Sequence, residues 1–169
     1  MDEQSIGQRV ADFDAFYQRE FTSIALIAGT TAGDRAMGED IAQEAFGRAA
    51  DRWPEVSGFD KPGAWVRRVA INLAIDRRRR RDSEARAIAK LPDVTVVQPV
   101  DRAGDPAVWE AVDELPARQR AAVVLHYYED RPVAEIAEIL QVSVSAVTSH
   151  LHRARTALSA ALEPTEVQP

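Results

Sequence analysis

The sequence predicts an all-α protein of two small helical domains joined by an extended linker. Three observations carry that prediction. Apolar residues recur at helical spacing along most of the chain. No two alternating apolar–polar runs offer each other a partner strand, and a lone strand is not stable. A stretch rich in Pro and Asp, KLPDVTVVQPVDRAGDP at 90–106, interrupts the helical pattern between two halves. The expected divisions are a first domain at 10–89, a linker at 90–105 and a second domain at 106–162.

In the first half, Phe13, Phe16, Tyr17, Ile24 and Ala28 share one helical face, and Thr30, Thr31 and Gly33 are expected to break it. A second stripe runs Ala42, Ala45, Phe46, Ala49 and Trp53, with Pro54 ending the helix at the preceding residue. PEVSGFDKPG at 54–63 reads as a loop. Pro62 then opens a third helix, with Val66, Val69 and Leu73 inward, expected to run to about Ala89. Extended, the linker of ~15 residues reaches ~50 Å, longer than the roughly 35 Å of one DNA turn, so two modules could hold separate sites on one duplex.

In the second half, PAVWEAVDEL forms one helix ended by Pro116, and PARQRAAVVLHYYED a second with Pro at its first position. PVAEIAEIL is short. SVSAVTSHLHRARTALSAAL is long, with Ser143 as N-cap and Val147, Leu151, Ala154 and Leu158 inward.

Charge points to a partner. The chain has 169 residues and a formal net charge of -6. From Lys61 to Arg81, eight Lys/Arg stand against the single acid Asp76, a local net of +7, while the other 148 residues net -13. A basic block on an acidic chain suits a polyanion, which the remainder repels. There is no cysteine, so disulfides and cysteine-ligated metals are excluded and a reducing, cytoplasmic setting fits. MDEQSIGQRVADFD has acids where a secretory leader is basic, so no leader is expected; no apolar run is long enough for membrane insertion. No cofactor or metal site is expected. Asp40, Glu44 and a histidine are the best metal candidates, but His150 and His152 are two apart on a helix and point away from each other.

PVAEIAEILQVSVSAVTSHLHRAR at 132–155 has the layout of a helix-turn-helix. Ile136, Ala137 and Leu140 face inward, Val142 plugs the turn, and Val147 and Leu151 meet it. Ser143, Ser145, Ala146, Ser149 and His150 are left outward at the front of the second helix, where such helices reach base edges in the major groove. Packing alone is the competing reading.

GEDIAQEAFGRA at 38–49, AWVRRVAINLAIDRRRR at 64–80 and this helix-turn-helix, in that order, resemble a bacterial RNA polymerase sigma factor of the extracytoplasmic-function class, which keeps conserved regions two and four. The resemblance covers 10–89 and 106–162. It implies a non-enzymatic initiation factor with core RNA polymerase and promoter DNA as partners, and leaves room for an anti-sigma factor. By resemblance, Asp40, Ile41, Gln43, Glu44, Phe46 and Arg48 dock on core polymerase. Phe59, Lys61, Trp65, Arg67, Arg68, Arg77, Arg78 and Arg80 melt and hold the -10 element. Ser143, Ser145, Ala146, Thr148, Ser149, His150 and Arg153 read the -35 element. The linker matches the segment threaded through the core enzyme.

The residues themselves fit these roles without fixing them. Asp40 and Glu44 are i,i+4 on one face, which also describes an ordinary solvated helix. Five consecutive arginines, Arg77 to Arg81, cannot all face one way. Trp65 and Phe59 can stack on an unpaired base, although Trp65 fits a core equally well. Two departures stand out. Gln141 replaces the glycine usual in the turn, and the recognition helix holds Ala146, Thr148 and His150 where the family tends to carry a Thr followed by two basic residues. A sigma-like decoy that binds an anti-sigma factor, and a stand-alone helix-turn-helix regulator, remain alternatives. The basic block argues against the first and the N-terminal half against the second.

Overall fold

The computed structural model describes residues 3–88 and 105–162, and all regular structure among them is helical. The expected linker lies outside the described residues except for Asp105. The helices are α1 (Glu3–Ala32), α2 (Arg35–Asp51), α3 (Trp53–Val56), α4 (Pro62–Ile88), α5 (Pro106–Asp113), α6 (Ala117–Val123), which continues as a wider π-helical turn over Val124–Tyr128, α7 (Val133–Leu140) and α8 (Val144–Leu162).

Thr30 and Thr31 do not break α1. Both are buried in its last turn, and the helix ends where Gly33 takes φ +70°, the left-handed conformation that costs glycine nothing. Asp34 then caps α2 by accepting from the Ala36 N–H at 3.0 Å. α2 crosses α1 closely because a Cβ at Gly38 would overlap the Ala25 carbonyl and press on Gly29. Trp53 starts α3 rather than ending α2, and Pro54 sits in the first turn of that short helix.

The N-terminal helices enclose an aromatic centre. Phe46 of α2 lies 4.8 Å from Tyr17 and 5.7 Å from Phe16, and Trp53 lies 5.0 Å from Phe16, all in tilted or edge-on geometries that favour ring quadrupoles. Around them pack Ile24, Ile41, Val66, Ala70 and Ala74.

The C-terminal helices do not stand apart. Their core of Val112, Leu115, Leu125, Ile136, Leu140, Val147 and Leu151 is continuous with Ile27 of α1 and Ile71 of α4. An extended tether would let two modules hold separate sites on one duplex. In this structure they share buried apolar surface, because Ile27 of α1 and Ile71 of α4, with Ala64 and Ile75 beside it, face out of their own bundle.

The helix-turn-helix forms as the sequence indicates. Ser143 caps α8 by accepting from the Ala146 N–H at 3.1 Å. Gln141 takes the left-handed conformation that a glycine would fill, with φ 53° and ψ 48°, and the Val142 N–H closes the turn on the Ala137 carbonyl at 3.1 Å. The turn is therefore conventional, and Gln141 carries a conformational cost of about 1–2 kcal/mol. Gln141→Gly removes that cost but adds chain entropy of roughly 0.5–1 kcal/mol to the unfolded state. Urea unfolding should show a net gain of up to about 1 kcal/mol for Gln141→Gly and none for Gln141→Ala.

Candidate nucleic-acid interface

α2 presents an acidic strip. Glu39, Asp40, Gln43 and Arg48 are exposed and Glu44 is half-buried. Ile41 and Phe46, expected on this docking surface, are instead inside the aromatic core at 0% and 2% exposure. The reason is periodicity, since both lie on the α2 face that meets α1. Glu44 accepts from Arg48 and from Arg77 of α4, each at 2.7 Å. The Arg77 hydrogen bond, opposed by slight burial and helped by Arg48, holds the Glu44 carboxyl below its ordinary pKa.

α4 divides its basic residues. Arg67, expected to meet DNA phosphates, is 2% exposed. Its Nε donates to Glu129 at 2.6 Å, while Nη1 donates to Glu20 at 2.9 Å and to the Gly63 carbonyl at 3.2 Å. It leaves the surface set because three elements close over it. Arg77 and Arg81, one turn apart, reach back to α2 and its cap, Arg81 donating to Asp34 at 2.8 Å and to the Ala32 carbonyl at 3.0 Å. Arg78 lies 3.6 Å from Asp82. Arg79 and Arg80 are exposed and pair with no described residue. The helix thus sorts its five arginines by angle, and the outward pair is the best placed to meet a phosphate backbone.

The loop before α4 and its first turns line an open cleft of about 280 Å³, walled by Phe59, Asp60, Lys61, Ala64, Trp65 and Arg68, with Glu138 of α7 across it. Trp65 is half-buried, and the Arg52 guanidinium sits 5.5 Å from its ring. That leaves Trp65 packed on one side and facing the cleft on the other, a stacking platform of the kind that holds unpaired bases.

On α8 and its cap, Ser143, Ser145, Thr148, Ser149 and Arg153 are exposed, and Ala146 and His150 are half-buried. The Thr148 hydroxyl donates to the Val144 carbonyl at 3.1 Å. His150 is held below its ordinary pKa by burial and then by Arg153 and Arg118, so the front of the helix carries no charge from it at neutral pH.

Four residues of consequence went unnoticed in the sequence: Glu20, Arg120, Glu129 and Glu135. Each is a charged group with a partner far along the chain, and all but the partly buried Glu20 are buried or nearly so. Their only local signal is a charge on an otherwise inward helical face.

Among the described residues no helix is long and apolar enough to cross a membrane, and no group of three or more His, Cys, Asp or Glu side chains is placed to hold a metal. The Sigma-70 region 2 family matches residues 16–84, and the Sigma-70 region 4 family matches residues 106–158. The RNA polymerase sigma-E factor of Streptomyces antibioticus is 33% identical over 126 residues, covering 74% of this chain and 70% of that one. The extracytoplasmic-function sigma factor SigW of Bacillus subtilis is 33% identical over 141 residues, covering 71% and 72%. The solved structure of the sigma factor RpoE of Bartonella quintana, in complex with the anti-sigma factor NepR, shares the fold at a TM-score of 0.71 and 19% identity, over 91% of this chain and 98% of that one. The chain belongs to the extracytoplasmic-function class of RNA polymerase sigma factors.

Proposed function

We propose a division of labour within this sigma factor. Residues 10–89 bind core RNA polymerase through the exposed α2 strip of Asp40, Gln43, Glu44 and Arg48, and hold the melted -10 strand in the Phe59–Lys61–Trp65–Arg68 cleft with Arg80 and its neighbour Arg79 on the backbone. Residues 106–162 read the -35 element through Ser143, Ser145, Ala146, Ser149 and Arg153. The chain supplies recognition and strand opening and catalyses nothing itself; it works in the cytoplasm, where core polymerase does the chemistry. The RpoE relative is bound by an anti-sigma factor, and a comparable partner is proposed here.

The observation that carries this reading is the cleft, which sets an aromatic face beside cationic side chains at the start of α4. Aromatic stacking accounts for about 1–3 kcal/mol per base in single-strand recognition, and the cations for the salt dependence. Run-off transcription with purified core polymerase on a pool of promoters tests it. Specific start sites are expected, and exchanging Ser145, Ala146 and Ser149 should shift the preferred upstream element by about 1–3 kcal/mol per altered base contact. A protein that neither joins core polymerase nor starts RNA on any template does not have this function.

A further inference from the structure

The front of α8 lacks the side chains that tell most base pairs apart. In the major groove guanine is read by Arg or Lys, adenine by Asn or Gln, and cytosine by Asp or Glu. Between Ser143 and His150 the helix and its cap hold none of these residue types. The first arginine is Arg153, in the third turn.

The polar groups that are present are largely committed to the helix itself. The Ser143 hydroxyl oxygen accepts the Ala146 N–H at 3.1 Å and shares a second hydrogen bond with Ser145 at 3.0 Å. The Thr148 hydroxyl donates to the Val144 carbonyl at 3.1 Å. His150 turns its Nδ1 into the protein, where it has no hydrogen-bond partner. Beside it stand Arg153 and Arg118, the latter fixed on the Leu140 carbonyl at 3.1 Å, so the ring stays neutral. A hydroxyl either donates or accepts, so Ser145 and Ser149 can meet more than one base pair.

What remains at the front of the helix is apolar. Val144, the first residue of α8, is 53% exposed, and Thr148 is exposed as well. They are i,i+4 and so neighbours on one face. With its hydroxyl turned back onto the helix, Thr148 offers its methyl as the remaining surface. Val142 and Val147 already fill the core on either side, so Val144 is not required there. A single exposed valine calls for no explanation elsewhere on a surface. Here it stands at the end of the recognition helix that reaches base edges.

We propose that α8 reads the -35 element through thymine methyl groups, with the Val144 and Thr148 methyls packed against the C5-methyl of one or two T·A pairs. The inference deepens the -35 role given to α8 above and rests on it. The thymine methyl is the feature of the major groove that an apolar side chain recognises. Burying one methyl group corresponds to about fourfold in affinity. The preferred upstream element therefore carries T·A pairs opposite the first turns of α8, and no guanine contact forms there. Neutral contacts release no counterions, so added salt should weaken binding to all promoters and leave the thymine preference unchanged.

The test uses holoenzyme assembled from the full chain and core polymerase, bound to a duplex promoter selected from the pool. Each thymine of the -35 element is replaced in turn by 2′-deoxyuridine, which keeps the base pair and removes only the methyl. Wild type should lose about fourfold in affinity at one or two of these positions. Val144→Ala/Thr148→Ser deletes the methyls and retains a hydroxyl able to bond the Val144 carbonyl. This variant should bind the thymine and uracil promoters within about twofold of each other. Val108→Ala removes an exposed valine of α5 in the same way and should keep the full loss. Circular dichroism confirms that both variants retain their helix content.

Three results would overturn methyl reading: a preferred -35 element without T·A pairs, thymines that all tolerate uracil, or a loss that persists undiminished in the double variant. In each of these cases a wild-type holoenzyme that still prefers one upstream sequence leaves the -35 role of α8 intact. A holoenzyme with no upstream preference at all strikes that role and the methyl reading together.

Discussion

Arg67→Ala is expected to undock the two halves of the protein. The substitution leaves Glu20 and Glu129 without their shared cation, Glu129 with only 4% of its side chain exposed. Removing one partner of a buried ion pair costs about 3–5 kcal/mol where the other charge is stranded, and less here because Glu129 keeps Arg131 at 3.2 Å and Glu20 keeps Arg19 at 3.0 Å. Glu20 shows the coupling directly. Burial drives its pKa upward, yet hydrogen bonds and charge from Arg67 and Arg19 outweigh that, so it titrates below the ordinary 4.5. The chain has one route of relief. Glu129 belongs to the C-terminal helices and regains water if they swing away. Separation should therefore precede unfolding of either half, and a single urea transition should become two, or small-angle scattering should show an expanded particle of unchanged helix content. Arg67→Lys should rescue little, because one ammonium cannot reach Glu129, Glu20 and the Gly63 carbonyl from one position. A melting profile and particle size identical to wild type would show that the cluster contributes nothing. Acid should act in the same direction. A carboxylate whose folded pKa is depressed adds stability that is complete above its unfolded value and is lost as pH falls through the folded one. For Glu20 that window lies below 4.5, so the α1–α4 contact it makes through Arg67 should weaken there and not at neutral pH.

Asp40→Lys with Glu44→Lys is expected to abolish association with core polymerase in co-purification, a loss of at least a hundredfold in affinity. Two exposed or half-exposed acids one turn apart become two cations; a partner surface that complements the acidic strip is basic, and like charges brought together across an interface cost several kcal/mol. Glu44 also has an internal role, accepting from Arg77 and Arg48. Part of the double effect will thus be local, and the control is Arg77→Gln, which breaks the same internal pair without reversing the strip. If Arg77→Gln loses polymerase as completely as the double variant, the strip is not the docking surface. Asp40→Lys alone makes no change to any described ion pair and should still weaken binding by about tenfold.

The helices that build both halves were legible because they are amphipathic. Phe16, Ala42, Phe46, Val66, Val147 and Leu151 all fall inside, where a 3.6-residue period puts them. Phe46 is instructive, since its stripe already marked it as core while family resemblance assigned it to a docking surface. The structure agrees with the stripe, and the docking face proposed for α2 is the neighbouring strip of Asp40, Gln43 and Glu44. The arginine run was legible in part. A single helix could never turn all five outward, but which of them turned inward depended on Glu44 and Asp34 of another helix.

Arg67 was not legible at all. Its partners lie 47 residues before it and 62 after it, and no local pattern distinguishes a cation that will be buried from one that will meet phosphate. By itself the sequence determined the all-helical class, the helix-turn-helix with its serine cap, and the family, because periodicity, capping and motif order are all set by near neighbours; that Gln141 still takes the left-handed turn was decided by the structure. Only the tertiary structure decided that the acidic C-terminal helices close over the basic start of α4. That contact is a balance between desolvating charges and pairing them, and it is fixed by the three-dimensional approach of α1, α4 and the widened turn before Glu129.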